Sequence, residues 1–238
     1  MSFATTRPWY AVAVVMAAPL ALAIVELFHP HPHDLFDLDV QRWMFVHYAQ
    51  IPLFPLAALA VAMLVRERTD LWALLCRVGM FVFAVAFTSF DTAAGLVIGL
   101  LVKAAKASGT PEAWRDMIDA VWFDPILGGQ GFTDAPVLAL IGRLSLSAGA
   151  LAGAISLRRG GHGWAPVLLL ALAGFGINVF KTHAWPGGPL TFGGIAVAAG
   201  WIRWESLRRQ AHAVIALEQE ADAAAGAMQA ARQRIEMR

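Results

Sequence analysis

The chain has 238 residues, 58% of them hydrophobic and only 15% charged, with a formal net charge of +1. Soluble domains carry about a quarter charged residues, so this composition is that of a polytopic membrane protein, and the near-neutral balance excludes nucleic acid as a bulk electrostatic partner. A lone cysteine, Cys76, excludes an intrachain disulfide and any cysteine metal motif.

In chain order, residues 9–28 form the first expected span, opened by the Trp9-Tyr10 pair as interfacial aromatic belts require. Only Arg7 is basic in the preceding segment, and the apolar run is long enough to cross a bilayer. It reads as a span that inserts itself and not as a cleaved leader. Pro19 should loosen its hydrogen-bond ladder. The segment Glu26-Leu27-Phe28-His29-Pro30-His31-Pro32-His33-Asp34 follows, where the helix runs out in a proline-set, polyproline-like exit. Residues 43–65 form the second span, with Pro52 and Pro55 inside it, and residues 71–103 a third that exceeds the bilayer core.

The loop after it contains Thr110-Pro111-Glu112, a helix start, and then Trp114, Met117, Ile118, Val121 and Trp122 at helical spacing. This predicts a short amphipathic interfacial helix, ended by a flexible turn at Gly128-Gly129-Gln130-Gly131. Three further spans are expected at residues 135–157, 164–181 and 189–204. Ser145, Gly149 and Gly153 form a small-residue stripe that permits close helix approach. Residues 183–189, His-Ala-Trp-Pro-Gly-Gly-Pro, read as a tight surface turn.

Arg66, Arg68, Arg158, Arg159, Arg203, Arg208 and Arg209, with Arg7, fall on one side of these spans. The positive-inside rule then gives an all-α, six-span bundle with both termini cytoplasmic. The expected location is a plasma membrane, the inner one in a bacterial envelope, with the Glu26–Asp34 stretch on the periplasmic or extracellular side. Residues 205–238 are Ala-rich and proline-free. Leu207, Val214, Ala221, Met228 and Ile235, with Leu217, Ala224 and Ala231, make a weak heptad pattern. That segment is either a solvated cytoplasmic helix continuing the sixth span or a coiled coil joining protomers or a larger membrane complex.

Ionisable residues within spans are costly and face the interior. At ~1.5 Å per residue, Glu26 lies roughly 25 Å beyond Trp9, Asp91 roughly 21 Å beyond Arg77, and His47 about 6 Å inside the second span. Arg143, Asn178, Lys181 and His183 fall at similar depth, so the first five spans each contribute to one polar layer in the outer third of the bilayer. Two physical accounts compete for it. In one, Glu26 and Asp91 are neutralised by Arg143 and Lys181, with Asn178 completing hydrogen bonds. In the other, Glu26, His29, His47, Asp91 and His183 ligate a divalent metal, Zn²⁺ or Fe²⁺. Glu26 and His29 have the Glu-x-x-His spacing of bundle metal sites, although Pro30 ends the helix near His29 and no second copy exists. A third use of His47 and His183 is axial ligation of a noncovalent haem b.

No nucleophile elbow, phosphate loop or dinucleotide fingerprint occurs. The expected function is therefore a polar chamber that binds a metal ion or small ligand, as in a metal-dependent membrane enzyme with Glu26 or Asp91 as acid/base. A small-solute or proton-coupled transporter, and an accessory subunit whose ion-pair network is structural, are the alternatives.

Overall fold

The computed structural model describes residues 8–129 and 135–237, and every regular element among them is helical. Arg7, Gln130, Gly131 and Asp134, and the side chains of Ala231 and Ile235, lie outside the described residues. The helices are α1 (Pro8–Leu27), α2 (Val40–Leu64), α3 (Leu71–Asp91), α4 (Ile98–Ala107), α5 (Arg115–Trp122), α6 (Val137–Arg159), α7 (Trp164–Ala173), α8 (Gly176–Phe180) and α9 (Gly187–Glu236). Four segments are long and apolar enough to cross a membrane: Trp9–Leu27, Val40–Leu64, Leu71–Ala107 and Val137–Arg159. Residues Trp164–Phe180 form a shorter apolar stretch.

Helix ends follow from local chemistry. The Asp39 carboxylate accepts from Arg42 N at the start of α2, and that of Asp70 from Ala73 N at the start of α3. Arg77 donates to the carbonyls of Val65 and Arg68, satisfying oxygens at the end of α2. Neither Pro19 nor the Pro52/Pro55 pair ends its helix. Neighbours run around the bundle in the order α1, α9, α7, α6, α3, α2 and back to α1, with α2 also reaching α9 and α6.

The small-residue stripe acts as expected. α3 and α6 cross so closely that a Cβ on Gly79 would lie 2.9 Å from Gly149 Cα and from the Ser145 carbonyl oxygen. Only helices without side chains at the crossing point pack this tightly. At mid-height Phe54, Phe83, Phe87 and Phe192 form a fully buried aromatic block, with Phe54–Phe87 centroids 5.0 Å apart. Outward-facing Phe45, Phe81, Leu172 and Val179 are exposed, as side chains meant for lipid would be.

One expected span differs in detail. The fifth is broken at Gly174-Phe175 into α7 and α8, and the freed polar groups are met by side chains. Ser147 Oγ lies 2.6 Å from the Gly174 carbonyl oxygen and accepts from Asn178 Nδ2 at 2.7 Å, while Thr191 Oγ1 accepts from Ile177 N at 3.0 Å. The segment expected as the sixth span runs unbroken into the tail as a single 50-residue helix to Glu236, as one of the two expected readings has it, and its described side chains beyond Leu207 are exposed. The expected short amphipathic helix is present as α5, preceded by a 3₁₀ turn at Pro111–Trp114. It buries Ile118 against the end of α4, whereas Met117 points away into the open.

Candidate metal centre

Four chain segments meet at the end of the bundle where α1 stops and α2 begins. The α1 helix ends at Leu27, and Arg42 Nε donates to the Phe28 carbonyl at 2.7 Å, holding the exit of the chain. The proline run is then non-helical, as expected, and turns the His29 ring inward while His31 and His33 stay exposed. On α2, Trp43, His47 and Gln50 follow at helical spacing and share one inward face. On α3, Asp91 closes the helix and the chain continues through a π-helical turn, Thr92–Val97. Such turns expose backbone groups and recur at functional sites. Here the Gly95 carbonyl accepts a 2.7 Å hydrogen bond from Trp43 Nε1. His183 arrives from the loop between α8 and α9.

His29, His47 and His183 each bring one ring nitrogen to within 4.8 Å of the others, and the three can hold a metal ion. The rings pack edge to face, with His29 centroids 5.0 Å from His47 and 4.9 Å from His183. The tautomers follow from the other nitrogens. His47 Nδ1 lies 2.8 Å from the Trp43 carbonyl and His29 Nδ1 lies 2.9 Å from the Pro30 carbonyl. Each Nδ1 must therefore carry the proton and donate, which leaves a lone pair on each Nε2. Burial, reinforced by His183 and His47, keeps His29 well below the ordinary imidazole pKa, and burial lowers that of His183 to about 3. Both are neutral, as coordination requires.

Asp91 lies beside the group without being one of the three residues whose donor atoms converge. Its Oδ1 lies 3.7 Å from His47 Nε2 and 3.9 Å from His183 Nε2. These separations are too long for hydrogen bonds. They are near the ~3.4 Å that separates ligand atoms on a tetrahedral ion with bonds of ~2.0–2.1 Å. Both carboxylate oxygens of Asp91, His29 Nε2 and His183 Nε2 are buried without a hydrogen-bond partner. Buried polar atoms are rarely left so.

Glu26 is fully buried but turns to α2, where Gln50 Nε2 donates to its Oε1 at 2.9 Å. It stands apart from the three-histidine group, because α1 ends at Leu27 and His29 already lies off the helix. The other residues of the expected layer are arranged differently. Among the described residues no ion pair joins Arg143 or Lys181 to Glu26 or Asp91. Lys181 is exposed in a left-handed conformation, and the Arg143 carbonyl, not its guanidinium, bonds Asn178.

The histidines open on a cavity of about 200 Å³, whose wall includes Pro32, Phe90, Trp122 and Thr182. Below, Phe87 and Phe90 stack edge-on against His183 at 5.6 and 5.8 Å and form an apolar floor. Gln50, Trp43 and Gly95 were absent from the residues expected at the site. The i, i+4, i+7 spacing of Trp43, His47 and Gln50 is the signal that points to the first two; nothing local marks Gly95.

No protein family, curated protein or solved structure matches the chain, so the reading rests on its own residues.

Proposed function

We propose that this chain is a membrane metalloprotein that holds one divalent transition-metal ion on His29, His47 and His183, with Asp91 as a fourth or exchangeable ligand. The observation that carries the reading is the convergence of the three ring nitrogens, and the unpartnered carboxylate of Asp91, 3.7 and 3.9 Å from two of them, supports it. Charge supports it as well. Asp91 and Glu26 are buried with no described Lys or Arg beside them, and a single 2+ ion would balance both carboxylates. Three imidazoles and a carboxylate suit Zn²⁺ or Fe²⁺. A cavity of about 200 Å³ is below the size of typical organic-ligand pockets, which favours an ion over haem.

Such an ion would supply Lewis acidity toward water or a carbonyl oxygen entering from the cavity. The protein's own share is to fix the imidazole tautomers through Trp43 and Pro30. It also presents Asp91 to the cavity as a proton acceptor and closes the chamber below with the apolar rings of Phe87 and Phe90. That floor favours a chamber open at one end over a path through the bundle. In this reading α7–α8 and the first part of α9 are the fifth and sixth crossings, both termini are cytoplasmic, and the chamber faces the periplasmic or extracellular side of a plasma membrane. Cobalt substitution tests the ligand set. Co²⁺-loaded protein should show visible d–d bands that shift in Asp91→Asn and vanish in His47→Ala. Bands indifferent to both substitutions would overturn the assignment.

A further inference from the structure

At the opposite end of the bundle a second cavity, about 390 Å³, opens between α1, α2, α6 and α9. Its inner wall is apolar, built by Val15, Leu64 and Ile202, and its rim carries Arg66, Arg68 and Arg203. Three guanidiniums there face the single lining carboxylate of Glu67, which pairs with Arg66 at 3.0 Å. Arg68 is engaged with Asp70 at 3.0 Å and with Ser156. Arg203 has no described partner. His162, which also lines the cavity, is kept below the ordinary imidazole pKa by partial burial and the nearby Arg209, so it adds no charge.

The same end carries the aromatic residues that mark a bilayer surface. Trp9 and Tyr10 stack at 3.6 Å and are exposed, the Arg158 guanidinium lies 4.5 Å over Trp164, and that of Arg159 lies 5.7 Å over Trp72. Indole belts sit at headgroup depth. A cavity at that depth, apolar within and cationic at its mouth, has the two-part chemistry of an anionic phospholipid.

We propose that this cavity binds an anionic phospholipid, with its phosphate between Arg203 and Arg66 and its first acyl methylenes against Val15, Leu64 and Ile202. Arg68 serves mainly to tie the α2–α3 turn to α6 and adds field. The site is independent of the histidine centre.

The test uses the full chain in neutral detergent, equilibrated with phosphatidylglycerol or phosphatidylcholine of identical acyl chains and examined by native mass spectrometry. Wild-type protein should retain phosphatidylglycerol about tenfold more than phosphatidylcholine, and Arg66→Gln/Arg203→Gln should erase that preference. Excess inorganic phosphate should leave the bound lipid in place. Equal retention of the two lipids, or full displacement by phosphate, would overturn the proposal. Should the double variant fail to fold, Ser206→Trp fills the cavity from α9 without changing charge. It should lower lipid retention as well, and undiminished phosphatidylglycerol binding in that variant would be equally fatal.

Discussion

Gly95→Ala probes the centre through a residue that carries no ligand atom. The Cβ it adds would land on the His47 imidazole, with ring carbons and Nε2 as its nearest neighbours. Carbon contacts are comfortable only at about 3.5–4.0 Å, so the ring or the π-helical turn must give by more than ~1 Å. The ring has little room, because its Nδ1 is bound to the Trp43 carbonyl and Trp43 is itself tied to Gly95 at 2.7 Å. Overpacking of this kind costs about 1–3 kcal/mol. Disturbing the partner of a ligating imidazole typically costs 10- to 100-fold in metal affinity. The assay is a Zn²⁺ titration of full-length protein against a competing chelator, with thermal unfolding alongside. Gly226→Ala, whose added Cβ meets nothing, is the control. Wild-type metal affinity in Gly95→Ala would refute the claim that His47 is a ligand held by this turn.

Other predictions follow from the surrounding structure. Ser147→Ala removes the group that serves both the Gly174 carbonyl and Asn178, so unfolding in detergent should show a loss of about 1–3 kcal/mol; a change within error would mean the break needs no such support. The segment between α4 and α6 should loosen in acid. The Phe36 N–H and, against some burial, Arg115 hold the Asp34 carboxyl below its usual range, and Arg115 does the same for Glu112. A depressed carboxyl stabilises the fold above its unfolded pKa, and that contribution is lost as pH falls through the folded value. Hydrogen exchange in α5, corrected for intrinsic rates, should therefore stay constant from neutral pH to about 5 and rise below about 4. Loosening centred near pH 6 would point to a histidine instead of these carboxylates.

Much of this arrangement is written in local sequence. Pro30 and Pro32 announce where α1 stops, the small residues of α6 announce the α3 crossing, and Glu26, His47 and Asp91 stand out because charge is scarce in spans. What sequence spacing could not convey is which way each side chain turns. Depth along a helix placed Arg143 and Lys181 level with the carboxylates, yet the break at Gly174 rotates α8 so that Asn178 meets α6 while Lys181 faces out. Glu26 and His29 have ligand spacing, but the helix ends between them, and Glu26 finds Gln50 instead. The π-helical turn after Asp91 leaves no mark in composition. It appears only when Trp43 and His47 are packed against Gly95.

The central claim is that three histidines from distant parts of the chain hold one metal ion. Its most direct test is the metal content, by plasma mass spectrometry, of protein purified without a polyhistidine tag and supplied with Zn²⁺ or Fe²⁺ before exhaustive dialysis. The account predicts about one ion per chain in the wild type and almost none in His29→Ala/His47→Ala/His183→Ala, with helical content unchanged by circular dichroism. A wild-type protein that retains no metal, or a folded triple variant that retains as much as the wild type, would contradict it.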